Sequence, residues 1–192
     1  MANDRTRAFA KLKYRDPRAV LVDLRRLEAT VAASEASFAV KNLRTRELRP
    51  LRELREACIF CYGMTACTGG PKFLVAHAEK QDYDAVATWN VDDCQNFAPI
   101  QIKEIVPHEV NSVASVQEVI AGLQKYVNSE DLTVAIHLNR TMRAFNPAEI
   151  VVPPLKVAAL WIFGAIAADQ SRWAIWGNLL EVREGREFTY PS

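Results

Sequence analysis

Little in this chain of 192 residues is long, apolar and uninterrupted. The longest uncharged apolar run, Val157 to Ala168, is closed by Lys156 and Asp169, and falls well short of the about 18–20 residues that cross a bilayer. No basic-then-apolar leader precedes a small-residue cleavage site, so the expectation is a cytoplasmic protein with no membrane partner. Glycine is scarce, with 7 residues, and Gly69-Gly70 runs into proline rather than a helix start. No phosphate-cradling loop is therefore present, and nucleotide-dependent chemistry has no support. Of the 4 cysteines, Cys58 and Cys61 form a CxxC with no second CxxC or HxxxH to complete a zinc set. A redox pair would want its first cysteine exposed at a helix N-terminus, whereas this pair lies two turns into a helical run. Small, reduced, buried thiols are the better reading. His77 and His137 lie within apolar strand patterns as core histidines, and His108 has no serine or cysteine partner for a catalytic dyad.

What is present is ordinary for a soluble globule: 49% hydrophobic and 24% charged residues. A chain of this length forms one domain, or one domain and an arm, and buries roughly 70% of its unfolded surface without a staple. The net charge of +1 conceals an asymmetry. Residues 1–60 carry 14 Lys+Arg against 8 Asp+Glu, and the remaining residues carry 10 against 15. Such a basic third either meets a polyanion or spreads its arginines over solvated helix faces.

Residues 1–15 read as a loose basic arm. Asp16-Pro17 is an N-cap followed by proline at the first helical position, and Val20, Leu24, Leu27 and Val31 continue at helical spacing to about residue 40. A second helix is expected from Leu51 to Tyr62, ended by the breaker cluster Thr68-Gly69-Gly70-Pro71. Phe73–Ala78, Asp84–Trp89 and Ala98–Val106 then read as strands. Ser115-Val-Gln-Glu118 is a capping box opening a helix with Val116, Ile120, Leu123 and Val127 on its apolar face. Leu132–Leu138 reads as a fourth strand. Leu155–Ala168 is either a buried helix or a core strand, Trp161, Trp173 and Trp176 cluster in this last part of the chain, and Glu184-Gly185 would turn a final hairpin. The expected class is α/β, a mixed sheet with a crossover helix. Residues 1–50 form a basic arm and long helix, and 51–192 the α/β domain.

The informative stretch is Asp84 followed by Gln101-Ile102-Lys103. Alternate strand residues share a face, so Gln101 and Lys103 point one way while Ile100 and Ile102 point into the core. If the strands pair, a carboxylate, an amide oxygen and an ammonium converge at one end of the sheet. Hard oxygen ligands of this kind hold Mg²⁺, and a nearby lysine orients a nucleophile or stabilises developing charge. The plainer alternative makes Lys103-Glu104 the polar end of a strand with Asp84 as its salt-bridge partner.

This arrangement resembles the PD-(D/E)xK nuclease superfamily, in which an acid opens one strand, an acid-x-Lys motif follows on the next, and a crossover helix lies behind. The resemblance spans roughly residues 51 to 138. It implies a restriction-endonuclease-like mixed central sheet flanked by helices, with an N-terminal helical extension. It places Mg²⁺ (or Mn²⁺) on Asp84, Gln101 and the Ile102 carbonyl, and makes Lys103 the catalytic base or charge stabiliser. A glutamate from the preceding helix, Glu53 or Glu56 with Glu56 preferred, would join them. Two positions depart from the family pattern: Tyr83 stands where it has proline, and Gln101 where it has a second acid. Glutamine is tolerated there in some branches, but losing one negative charge weakens metal binding. The resemblance implies a metal-dependent nuclease acting on nucleic acid, with DNA the first expectation and a homodimer suited to cutting both strands. The alternative is an inactive nuclease-like module that binds nucleic acid or a protein partner.

Overall fold

Asp16 does cap the first long helix: its side chain accepts from the Arg18 backbone N–H at 3.0 Å, with Pro17 in the first turn. The computed structural model describes residues 2–78, 82–140 and 146–192. Five α-helices are described: α1 (Ala2–Ala10), α2 (Pro17–Ala32), α3 (Phe38–Lys41), α4 (Arg49–Thr68) and α5 (Val116–Gly122). The strands are β1 (Leu74–His77), β2 (Ala85–Val91), β3 (Cys94–Ile105), β4 (Ser129–Leu138), β5 (Val157–Ala165), β6 (Arg172–Trp176) and β7 (Gly185–Thr189). They form one 7-stranded mixed sheet in sequential order. β3, β4 and β5 run parallel, and every other neighbouring pair is antiparallel.

That pattern follows from the connections. β2 and β3 are joined by Asp92-Asp93, both at positive φ, the conformation of a tight turn whose twist matches the strands it joins. β3 and β4 are parallel, so the chain must cross over, and α5 is that crossover. Its capping box is formed as expected, with Ser115 and Glu118 bonding each other's backbone N–H.

Two apolar clusters cover the two faces of the sheet. On one face, α4 lays Ala57, Cys58, Ile59 and Phe60 against Ile100, Ile102, Ala135 and Phe163. On the other, Ile120 and Leu123 meet Ile105, Val134, Ile136 and Leu160. Burying this much aliphatic surface supplies the main driving force, at about 25 cal/mol per Å² of apolar area.

The N-terminal residues differ from the loose arm expected of them. α1 is helical and docked: Phe9 is buried, edge-on to Tyr83 at 5.7 Å and 6.0 Å from Phe97. Arg5 also pairs with Asp131 at 2.8 Å. Composition could not reveal this, because Phe9, in the short Ala8-Phe9-Ala10 run, finds its partners Tyr83 and Phe97 far along the chain. α2 ends at Ala32 rather than near residue 40, and its Leu21 is fully buried in the α4 cluster. α4 extends past Tyr62 to Thr68, stopped by Gly69 at φ 61, a left-handed cap that glycine adopts without steric cost. The undecided Leu155–Ala168 segment holds strand β5, and the final hairpin is β6–β7, with Gly185 opposite Trp176 as the first residue of β7, after the turn. Among the described residues, no helix is long and apolar enough to cross a membrane.

Candidate active site

Asp84 stands immediately before β2, at the point where three strands meet. Its backbone N–H donates to the Ile100 carbonyl at 2.9 Å, and its own carbonyl accepts from Ala78 at 3.0 Å. The side chain is thereby aimed at β3. One carboxylate oxygen, Oδ2, accepts from the Ile102 backbone N–H at 2.7 Å and also from the Gln101 amide Nε2. The same Nε2 lies 3.3 Å from the Ile102 carbonyl oxygen. Gln101 Oε1 accepts from the Tyr126 hydroxyl at 3.3 Å.

Gln101 and Lys103 lie on one face of β3, as alternation requires. Both meet Tyr126, from the end of the crossover segment, and the Lys103 Nζ sits 6.0 Å from its ring centroid. Asp84, Gln101, Ile102 and Lys103 line a cleft of about 370 Å³, together with Glu53, Glu56, Arg49 and Arg52 of α4. The residues read from the sequence are thus brought together.

Burial dominates the electrostatics. It lowers the Lys103 pKa from the usual lysine value, only partly opposed by the Asp84 carboxylate. It raises the Asp84 pKa, against the lowering effect of the Ile102 N–H bond, and the Glu53 charge pushes it further up. Desolvation disfavours whichever form is charged, so the acid and the base shift towards each other. Perturbed groups of this kind gather at functional sites.

The two helix glutamates divide. Glu53 accepts from Arg49 at 2.6 Å and lies 3.5 Å from His77 Nε2, and its charge acts on both Asp84 and Lys103. Glu56 turns instead to His137, whose Nδ1 is 2.9 Å away. Both carboxylates line the cleft, and it is the Glu53 charge that acts on Asp84 and Lys103, while the preferred Glu56 is engaged by His137. The Arg49–Glu53 spacing of i,i+4 was a readable signal for this pairing. Tyr126 gave none, because nothing in the sequence says where the crossover segment ends relative to β3.

At the edge of the cleft, the carboxylates of Glu56 and Glu104, which help to line it, and one ring nitrogen of His137 lie within 4.8 Å of one another, a set that would suit a transition metal. The Glu104 charge is already met. Arg44 grips both Glu104 oxygens at 2.5 and 2.8 Å, and Asn139 donates to one of them at 2.7 Å. His137 is stacked on Phe163 at 4.9 Å, so it is a core histidine, as expected, but one tied to a carboxylate. Burial alone would raise the Glu104 pKa, but the Arg44 and Asn139 bonds outweigh it and hold the value low. A lowered folded value means stability that is present above the unfolded pKa and lost as pH falls through the folded one. Arg44→Ala, which strands this carboxylate, is expected to destabilise the fold by about 3 kcal/mol at neutral pH. Urea denaturation at neutral and acid pH checks this, the difference from wild type narrowing in acid.

Other candidates take structural roles. Cys58 and Cys61 are buried, and burial pushes the Cys58 thiol up to about 12 and the Cys61 thiol well above its ordinary value. Neither is a thiolate at neutral pH. Of the clustered tryptophans, Trp173 is in the core, and Trp161 and Trp176 pack half-buried against it. Arg140 is spent on the carbonyls of Val106 and Asn111, both at 2.8 Å. Comparison with protein-family models, with curated proteins and with solved structures finds no match to this chain.

Proposed function

We propose that the protein is a divergent PD-(D/E)xK-type nuclease that hydrolyses phosphodiester bonds in nucleic acid, DNA foremost, with Mg²⁺ or Mn²⁺ at Asp84. The observation that carries this reading is the position of the Gln101 amide nitrogen. It lies between the Asp84 carboxylate and the Ile102 carbonyl, the two oxygens between which the resemblance sets a cation. A positively polarised N–H group between these two oxygens supports the reading, because it occupies a place that also suits positive charge. The order of elements supports the same reading: helix α4, an antiparallel β1–β2–β3 meander, crossover α5 and parallel β4.

The donor set fits a hard divalent ion. Asp84, the Ile102 carbonyl and the Gln101 amide oxygen are all oxygen ligands of the kind Mg²⁺ prefers. The amide carries both donor and acceptor, and the Tyr126 hydroxyl can accept as well as donate. Gln101 can therefore offer its oxygen to a cation and still be satisfied at Tyr126. A bound cation would neutralise charge on the phosphate and activate water.

The protein's own groups do the rest. Lys103, its pKa lowered by burial, is an amine closer to the working pH, and its Nζ takes the proton of the attacking water. Glu53, bound by Arg49 at 2.6 Å, adds a negative charge that partly opposes this lowering. Incubation of single- and double-stranded DNA and RNA with the protein, in Mg²⁺ and in EDTA, tests the reading. Cutting in Mg²⁺ that stops in EDTA is the expected result.

A second reading rests on the same amide. The Gln101 N–H already satisfies Asp84 without a metal, which suits a module that binds nucleic acid and does not cut it. Salt-sensitive binding with no cleavage in either Mg²⁺ or Mn²⁺ would favour that reading over the first.

A further inference from the structure

Beside the catalytic cleft lies a second cavity of about 300 Å³, and Arg52 and Glu56 form part of both walls. The two have opposite charge balances among the described residues. In the cleft, the carboxylates of Glu53, Glu56, Asp84 and Glu104 outnumber Arg49, Arg52 and Lys103. In the second cavity, Arg25, Lys41, Arg52 and Arg55 stand against Glu28, Glu56 and Asp169, and Arg55 and Glu28 meet each other at 2.6 Å, which leaves three cations against two carboxylates. The second cavity thus keeps a surplus of cationic side chains on which an anion can seat.

We infer that this second cavity is a phosphate subsite, which holds a phosphodiester neighbouring the scissile one on the same nucleic-acid strand. The inference rests on the nuclease reading of the adjoining cleft. Part of the wall is fixed in advance. Arg55 is locked by Glu28 and by Gln170 Oε1 at 2.9 Å, and Arg25 lies 4.3 Å over the Tyr190 ring while donating to the Gln170 carbonyl at 3.0 Å. Arg52 is held differently. Its guanidinium has the Leu43 carbonyl at 3.4 Å and Glu104 at 3.9 Å, both longer than a good N–H···O bond. A guanidinium with loosely used donors, standing between two cavities, is suited to grip a phosphate with two parallel N–H groups. Lys41 is an exposed part of the lining, its Nζ donating to the Ala32 carbonyl at 3.0 Å with further N–H groups to offer. This gives the basic N-terminal third a specific role, because all four cations come from residues 1–60.

The test is binding of fluorescein-labelled single-stranded and duplex DNA oligonucleotides in EDTA across a salt series, by anisotropy, for wild type, Arg52→Gln and Lys41→Gln. Each variant is expected to bind roughly fivefold more weakly near physiological salt and to lose about one unit of salt slope, the share of one phosphate contact. In Mg²⁺, the same variants are expected to raise KM more than they lower kcat. Lys41 is exposed, so its variant keeps the test valid should Arg52→Gln fail to fold. Unchanged affinity and slope in the variants, with wild type cutting in Mg²⁺, would overturn the subsite and leave the nuclease reading intact. Wild type that neither binds nor cuts would overturn both.

Discussion

Asp84→Asn is expected to abolish metal-dependent cleavage while the melting temperature holds or rises. Both hydrogen bonds to this side chain end on one oxygen, Oδ2, from Ile102 N–H and the Gln101 amide. An asparagine oxygen accepts both, so the local structure has no reason to change. What is lost is the negative charge that would hold a cation. Burial raises the Asp84 pKa in the folded protein, so the native state holds that proton more tightly than the unfolded chain does. Stability tied to Asp84 is then fully present below the unfolded value and declines as pH rises through the folded one. At neutral pH the ionised carboxylate is a liability to folding, and asparagine removes it. A gain of even 1 kcal/mol would appear as about 2–4 °C in Tm for a domain of this size. Thermal melts beside cleavage assays check both halves, and a large fall in Tm would mean that Asp84 is a structural residue. Sites that trade stability for chemistry behave in the first way.

Lys103→Ala is expected to lower kcat by about 10²–10⁴, the usual contribution of a positioned proton acceptor. If Lys103 is the proposed base, the amine works deprotonated, and the wild-type rate should rise with pH through the lowered Lys103 value and level off above it. Lys103→Arg keeps a positive charge but cannot give up its proton, and should be nearly as inactive as the alanine variant. Retained activity in the arginine variant would assign Lys103 to charge stabilisation instead. A pH–rate profile of wild type, with single-pH rates for both variants, separates the two roles.

The sheet and the crossover were legible because each rests on a local pattern. The period-2 alternation of Ile100 and Ile102 against Gln101 and Lys103, and the Ser115–Glu118 capping box, are written within a few residues. The partner of Asp84 was legible for the same reason, since a strand-opening acid and a QxK motif fall on neighbouring strands. Docking of α1 was not, because Phe9 gains its burial from Tyr83 and Phe97, distant in sequence. The different partners of Glu53 and Glu56 were not legible, because the two residues are one turn apart on α4 and only tertiary packing brings His77 to the first and His137 to the second. The Arg44–Glu104–Asn139 network and the Tyr126 contacts join residues far apart in the chain, and no spacing rule reaches across that distance.

The central claim, that Asp84, Gln101 and Lys103 form a hydrolytic centre, is tested most directly by nucleic-acid cleavage in Mg²⁺. Wild type and Lys103→Ala would be purified side by side and assayed on single- and double-stranded DNA and RNA. Cutting by wild type that EDTA stops, and that Lys103→Ala lacks, is the result expected here. Equal cutting by both proteins, or none by either in Mg²⁺ and Mn²⁺, would contradict it.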